Sequence, residues 1–96
     1  MAKGYWVVHI TVKDPERYKD YIAADEAAFA KFDARFHVRG GENQIPEGQS
    51  RERHVVIEFE SYEKALECYN SSEYQAAAKI RQESADTDLV IVEGVD

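Results

Sequence analysis

Three histidines, an arginine–glutamate pair and a set of aromatic side chains carry the chemistry this sequence could perform. His9, His37 and His54 fall at alternate positions of strand-like runs, on one face. Histidine titrates near neutral pH and is a common metal ligand. His9 is expected a strand's width or more from His37, however, and no Cys or carboxylate completes a compact ligand set. Structural or interface roles are therefore expected for the histidines, with no metal. His9 is kept as a candidate for moving a proton. Arg39 offers a planar fork suited to a carboxylate or an enolate. Glu58 sits on a strand, where burial would disfavour its charged form and suit it to acid–base work. The plainer reading of Arg39 and Glu58 is a cross-strand ion pair that seals a dimer.

Trp6, Tyr18, Tyr69 and Tyr74 fall on helix-facing or helical positions and could wall a ligand cleft between helices and sheet. Core packing would place them there too. Asp25 interrupts the apolar stripe of the first helix between Ile22 and Phe29. Either the stripe reaches solvent there or a polar group faces the cleft. Gly40-Gly41 lacks phosphate-loop spacing and opens a loop rather than a helix, so it reads as a turn. Cys68, beside Glu67 in a helix, is not in surroundings that favour a thiolate.

The elements that position these residues are legible from periodicity. Tyr5 to Val12 is β-branched or aromatic almost throughout, a strand buried on both faces. Asp14-Pro15 starts a helix, with Asp14 capping and Pro15 at the first helical position. Tyr18, Ile22, Phe29 and Phe32 form its stripe, and Asp33 falls near its end. Ala34 to Arg39 alternates as a second strand, with Phe36 and Val38 on one face and Arg35, His37 and Arg39 on the other. A polar loop of about a dozen residues leads to a third strand, Arg53 to Phe59. Ser61 caps a helix over Tyr62 to Tyr69, Asn70-Ser71 interrupts it, and Ser72 with Gln75 fits a capping box for a second helical piece. Asp86-Thr87-Asp88 turns the chain into a last strand, Leu89 to Glu93.

The order β-α-β-β-α-β predicts an α+β, ferredoxin-like domain over residues 1–96. Its four-stranded antiparallel sheet has the first and third strands at the centre and helices on one face. Trp6, Val8, Ile10, Phe36, Val38, Val55, Ile57 and Phe59 are expected to face the helices. Antiparallel pairing of the second and third strands then sets Arg35 opposite Glu58, His37 opposite Val56 and Arg39 opposite His54. The other face is left bare and mixed in character. A chain this short hides only roughly 60–65% of its unfolded surface alone, so a second copy packed on that face would enlarge the core.

Composition narrows the partners. With 12 basic and 19 acidic residues the net charge is −7, which disfavours nucleic acid and anionic membranes. One cysteine permits no internal disulfide, and there is no apolar run of about 18 residues to span a membrane. Met1 to Gly4 leads straight into a patterned strand, so no secretion leader is expected and a cytoplasmic protein is.

Several segments together resemble the small bacterial family called domain of unknown function 1330. They are Gly4-Tyr5-Trp6, Asp14-Pro15, Tyr18, Arg39-Gly40-Gly41, Arg53 to Phe59, Cys68 to Tyr74 and Val90 to Gly94. The resemblance implies the dimeric α+β barrel class and a homodimer, and leaves the activity unassigned. Its fold relatives include cofactor-free oxygenases, a lactone isomerase and haem enzymes. The expectation is an enzyme without metal or organic cofactor, acting on a small aromatic or enolisable molecule. Glu58 or a histidine would move a proton, and Arg39 would stabilise an enolate-like oxyanion. The alternative is a non-catalytic small-molecule-binding or regulatory dimer. Haem ranks last, since no axial histidine is expected on the helix-facing side.

Overall fold

Strand β1 (Gly4–Val12) is the axis of the fold, antiparallel to β3 (Arg53–Phe59) on one side and to β4 (Ala85–Glu93) on the other. With β2 (Arg35–Arg39) beyond β3, the sheet order is β2-β3-β1-β4. Helices α1 (Pro15–Lys31), α2 (Tyr62–Asn70) and α3 (Ser72–Ser84) complete the expected order, with the second helical segment broken in two. The computed structural model describes residues 2–96; Met1, where the expected absence of a leader begins, lies outside them.

Local chemistry starts each helix. Asp14 Oδ1 accepts from the Arg17 N–H at 3.1 Å, and Ser61 Oγ accepts from the Lys64 N–H at 3.1 Å. The break between α2 and α3 belongs to Ser71 rather than to the expected Ser72–Gln75 box. Ser71 is extended, and its Oγ donates to the Cys68 carbonyl at 2.7 Å and accepts from the Tyr74 N–H at 3.1 Å. Gln75 instead donates to the Tyr69 carbonyl. One hydroxyl thus ends α2 and starts α3.

The last strand begins at Ala85, four residues before the expected start, because Val12 and Thr11 pair with Ala85 and Asp86. Its polar residues do not turn the chain. They lie along β1, with Asp88 opposite His9.

Alternation along β1 divides the faces as expected. Trp6, Val8 and Ile10 are buried under the helices, while Tyr5, Val7, His9 and Thr11 are half-buried on the open face. Trp6 organises the core: its ring centroid is 4.8 Å from that of Tyr74 and 5.4 Å from that of Phe29, both edge-on. Its indole N–H donates to the Ala65 carbonyl at 3.0 Å, which ties α2 to the sheet. Gly4 allows a close approach of β1 to the start of α2, since a Cβ there would collide with the Ser61 backbone.

A β-bulge changes the faces of β2. Arg35 pairs with Glu58 as expected and Phe36 with Ile57, but Val38 then pairs with Val56 and Arg39 with Val55. His37 is the extra residue. The expected pairings of His37 with Val56 and Arg39 with His54 are therefore displaced by one residue, and such a slip exchanges faces. Val38 moves to the open face and Arg39 to the helix-facing side. One valine from each strand, Val38, Val56, Val7 and Val90, now forms an apolar row across the whole open face.

Candidate functional site

The helix-facing side of the bulge holds a cavity between α1 and the sheet. Helix α1 presents Tyr18, Tyr21, Ile22, Asp25 and Phe29 to it at helical spacing, and the sheet contributes Trp6, Phe36, Arg39 and Arg53. Unfilled space there, including the mouth, is about 370 Å³, but only about 20 Å³ admits the centre of a water molecule. The enclosed part therefore holds about one water. A larger ligand enters only when side chains at the mouth swing aside.

Asp25 is the chemical centre of this space. It is 4% exposed, and its Oδ1 has no hydrogen-bond partner. Burial pushes its carboxyl up to about 7; the Arg39 charge pulls against that, Glu26 adds to it and the Tyr21 hydroxyl opposes it. A carboxyl near neutrality can both give and take a proton.

Two arginines stand at the mouth. The exposed Arg39 guanidinium lies over the Phe36 ring, 4.2 Å from its centroid. Half-buried Arg53 lies 5.7 Å from the Tyr18 centroid, and its Nε is enclosed without a hydrogen-bond partner. Gly40 makes this possible: at φ +73 it turns the chain, and a Cβ there would overlap the Arg53 guanidinium. Among the described residues neither arginine is within ion-pair distance of a carboxylate.

A polar network backs the cavity. Buried Arg81 donates through Nη1 to the Tyr74 hydroxyl, which lies 2.8 Å from the Tyr21 hydroxyl. Burial pushes Tyr74 up to about 12 and Tyr21 well above its ordinary value, so both remain phenols. Burial also pushes the Cys68 thiol up to about 12, which leaves it no nucleophile at neutral pH.

Of the residues singled out from sequence, Trp6, Tyr18, Tyr74 and Arg39 meet around this cavity. Tyr69 does not line it; it packs edge-on against Trp6 at 5.9 Å between centroids. Glu58 and His9 are on the opposite side of the sheet. Glu58 Oε1 is 2.9 Å from His37 Nε2, and this hydrogen bond is the main reason its carboxyl is held below the usual range. His9 Nδ1 is 2.8 Å from His54 Nδ1. A mechanism joining Glu58 to Arg39 in one cleft thus fails on geometry, because the His37 bulge carries Arg39 through the sheet plane. Among the described residues no group of three or more His, Cys, Asp or Glu could hold a metal ion, and no helix is long and apolar enough to cross a membrane.

Asp25 was visible as an interruption of the stripe. Arg53 and Tyr21 were not singled out, although the parity of Val55, Ile57 and Phe59 already aims Arg53 at the helices. Tyr21 sits four residues before Asp25, one turn away on the same helix face.

The sequence matches the family Domain of unknown function (DUF1330) over residues 3–95, and the chain belongs to that family. No curated protein matches it. A protein of unknown function from Rhodopseudomonas palustris superposes with a TM-score of 0.78 at 15% identity, covering 99% of this chain and 84% of that one. A dimeric ferredoxin-like protein of unknown function from Thermobifida fusca gives 0.65 at 13% identity, covering 98% and 92%. SnoaB, a cofactor-independent oxygenase from Streptomyces nogalater, gives 0.63 at 10% identity, covering 100% and 96%. At these identities the likeness establishes the ferredoxin-like fold.

Proposed function

We propose that this member of the domain of unknown function 1330 family is a homodimeric, cofactor-free enzyme that moves a proton on a small enolisable or aromatic molecule bound between α1 and the sheet. The observation that carries this reading is Asp25: an enclosed carboxyl with an unpartnered oxygen, sharing its cavity with two arginines that, among the described residues, have no carboxylate within ion-pair distance. In the ionised form its oxygen takes a proton from the carbon beside a ligand carbonyl. The C–H electron pair becomes the enolate double bond, and the carbonyl electrons move onto oxygen. Arg39 or Arg53 stabilises that oxyanion. Return of the proton from Asp25, to the same or the neighbouring carbon, closes an exchange or an isomerisation with every atom accounted for.

The dimer in this reading forms through the open face, where the valine row supplies the apolar centre and His9, His54, Glu58 and His37 supply a polar surround. The dimeric Thermobifida relative supports a homodimer, and SnoaB supports the compatibility of the fold with catalysis without a cofactor. A second reading, a binding or regulatory dimer without turnover, is favoured by the small enclosed volume of about 20 Å³.

Deuterium exchange at the carbons beside the carbonyl in a panel of small 2-oxo and 3-oxo acids and ketones, followed by proton NMR, separates the two. The enzyme reading expects exchange by the wild type that Asp25→Asn lowers at least tenfold. Equal rates in both proteins for every compound that binds would leave only the binding reading.

A further inference from the structure

We propose that the ligand of this cavity is a compact carboxylic acid, held by its carboxylate between Arg39 and Arg53 with its other end toward Asp25. This rests on the cavity being a ligand site and adds the charge and size of what it takes.

Charge is the first argument. The chain has 19 acidic residues against 12 basic ones, so a partner for any surface cation is easy to supply. Arg17, Arg35 and Arg51 each have one within ion-pair distance. Among the described residues Arg39, Arg53 and Arg81 have none. The first two line the cavity, and the third reaches it through the Tyr74 and Tyr21 hydroxyls. Arg81 is 5% exposed and its Nε is unpartnered, as is the enclosed Nε of Arg53. Two guanidinium groups on the cavity wall, backed by a third through two hydroxyls, make a site that attracts an anion.

Geometry selects the kind of anion. A guanidinium meets a carboxylate edge to edge with two parallel N–H···O bonds, a planar match. The neighbouring walls are rings, Trp6, Phe29 and Phe36, which suit a flat body behind that carboxylate. Tyr74, in the first turn of α3, lines the cavity, but its backbone N–H is already taken by the Ser71 hydroxyl, so a bulky phosphate dianion would have to rely on side chains alone. The enclosed volume of about 20 Å³ sets the size. One oxygen or methyl-sized group reaches Asp25, and the rest of the ligand occupies the mouth once Arg39 leaves the Phe36 ring.

The test uses two matched pairs, pyruvate with pyruvamide and benzoate with benzamide, which differ in charge and hardly in size. Each is titrated into isotopically labelled protein while the arginine Nε–H signals and the Asp25 amide are followed by NMR. The expected result is that at least one acid binds tenfold or more tightly than its amide and shifts the Arg53 Nε–H signal. Arg53→Met and Arg39→Gln should each weaken that acid about tenfold. Arg39 is exposed, so its variant keeps the test valid should Arg53→Met fail to fold. Amides that bind as well as their acids while shifting Asp25 would overturn the charge assignment and leave the ligand site standing. Acids bound equally by wild type and Arg39→Gln would also overturn it. Binding of none of the four overturns it as well, whereas the site itself then stands or falls on the Asp25-dependent exchange assay.

Discussion

Replacing Asp25 with Asn removes an ionisation while keeping the size and shape of the side chain, so its effect on stability should depend on pH in a calculable way. The folded carboxyl titrates at about 7 against an ordinary 3.8, because burial disfavours its charge. A folded value above the unfolded one means that this group's contribution to stability is fully present below about pH 3.8. It is lost as pH rises through about 7. At about 1.4 kcal/mol per pH unit, the whole loss is on the order of 4 kcal/mol. Between about pH 5 and about pH 8 linkage gives a loss of roughly 2.5 kcal/mol. Asn has no charge to bury and loses none of this. Urea unfolding of both proteins at the two pH values should show Asp25→Asn gaining that amount relative to wild type at the higher pH. Glu52, Glu58 and Glu73 have carboxyls held low, so their stabilisation is lost toward acid, but they are common to both proteins and cancel. Any fixed cost of fitting the amide cancels too, because only the change with pH is read. A stability difference that stays constant with pH would refute the enclosed carboxyl.

Three further outcomes follow from the fold. Val7→Lys places a charge in the middle of the Val38–Val56–Val7–Val90 row and should convert the proposed dimer to monomer in light scattering after gel filtration; an unchanged mass would move the interface elsewhere. Trp6→Ala should cost about 3–5 kcal/mol in denaturant unfolding, since it empties the centre of the aromatic core and leaves the Ala65 carbonyl without its donor. Gly40→Ala should cost about 1 kcal/mol or more and displace the Arg53 guanidinium, whereas Gly41→Ala, with nothing within 4 Å of its new Cβ, should be nearly neutral.

The element order, the sheet order and the two faces of β1 were legible because they rest on long periodic runs. Trp6, Val8 and Ile10 could hardly alternate otherwise. The β2 bulge was not legible. No glycine or proline marks His37, and a strand of five residues is too short for its alternation to betray one inserted position. That single residue decides the chemistry, because it moves Arg39 from the open face to the cavity and parts it from Glu58. The start of β4 was hidden for a different reason: Asp86 and Asp88 are poor strand formers alone, held extended by pairing with β1. Ser71 and Ser72 are chemically equivalent caps, and only the backbone decides between them. Asp25 was visible as an anomaly, but its significance required Arg39 and Arg53 to be placed beside it.

Asp25 lies enclosed in a cavity under the influence of Arg39, and carbon-13 NMR titration of its carboxyl reads that environment without an intermediary. The midpoint should fall at about 7 and rise further in Arg39→Gln, where the opposing positive charge is gone. A midpoint near the ordinary 3.8, unmoved by that substitution, would contradict it.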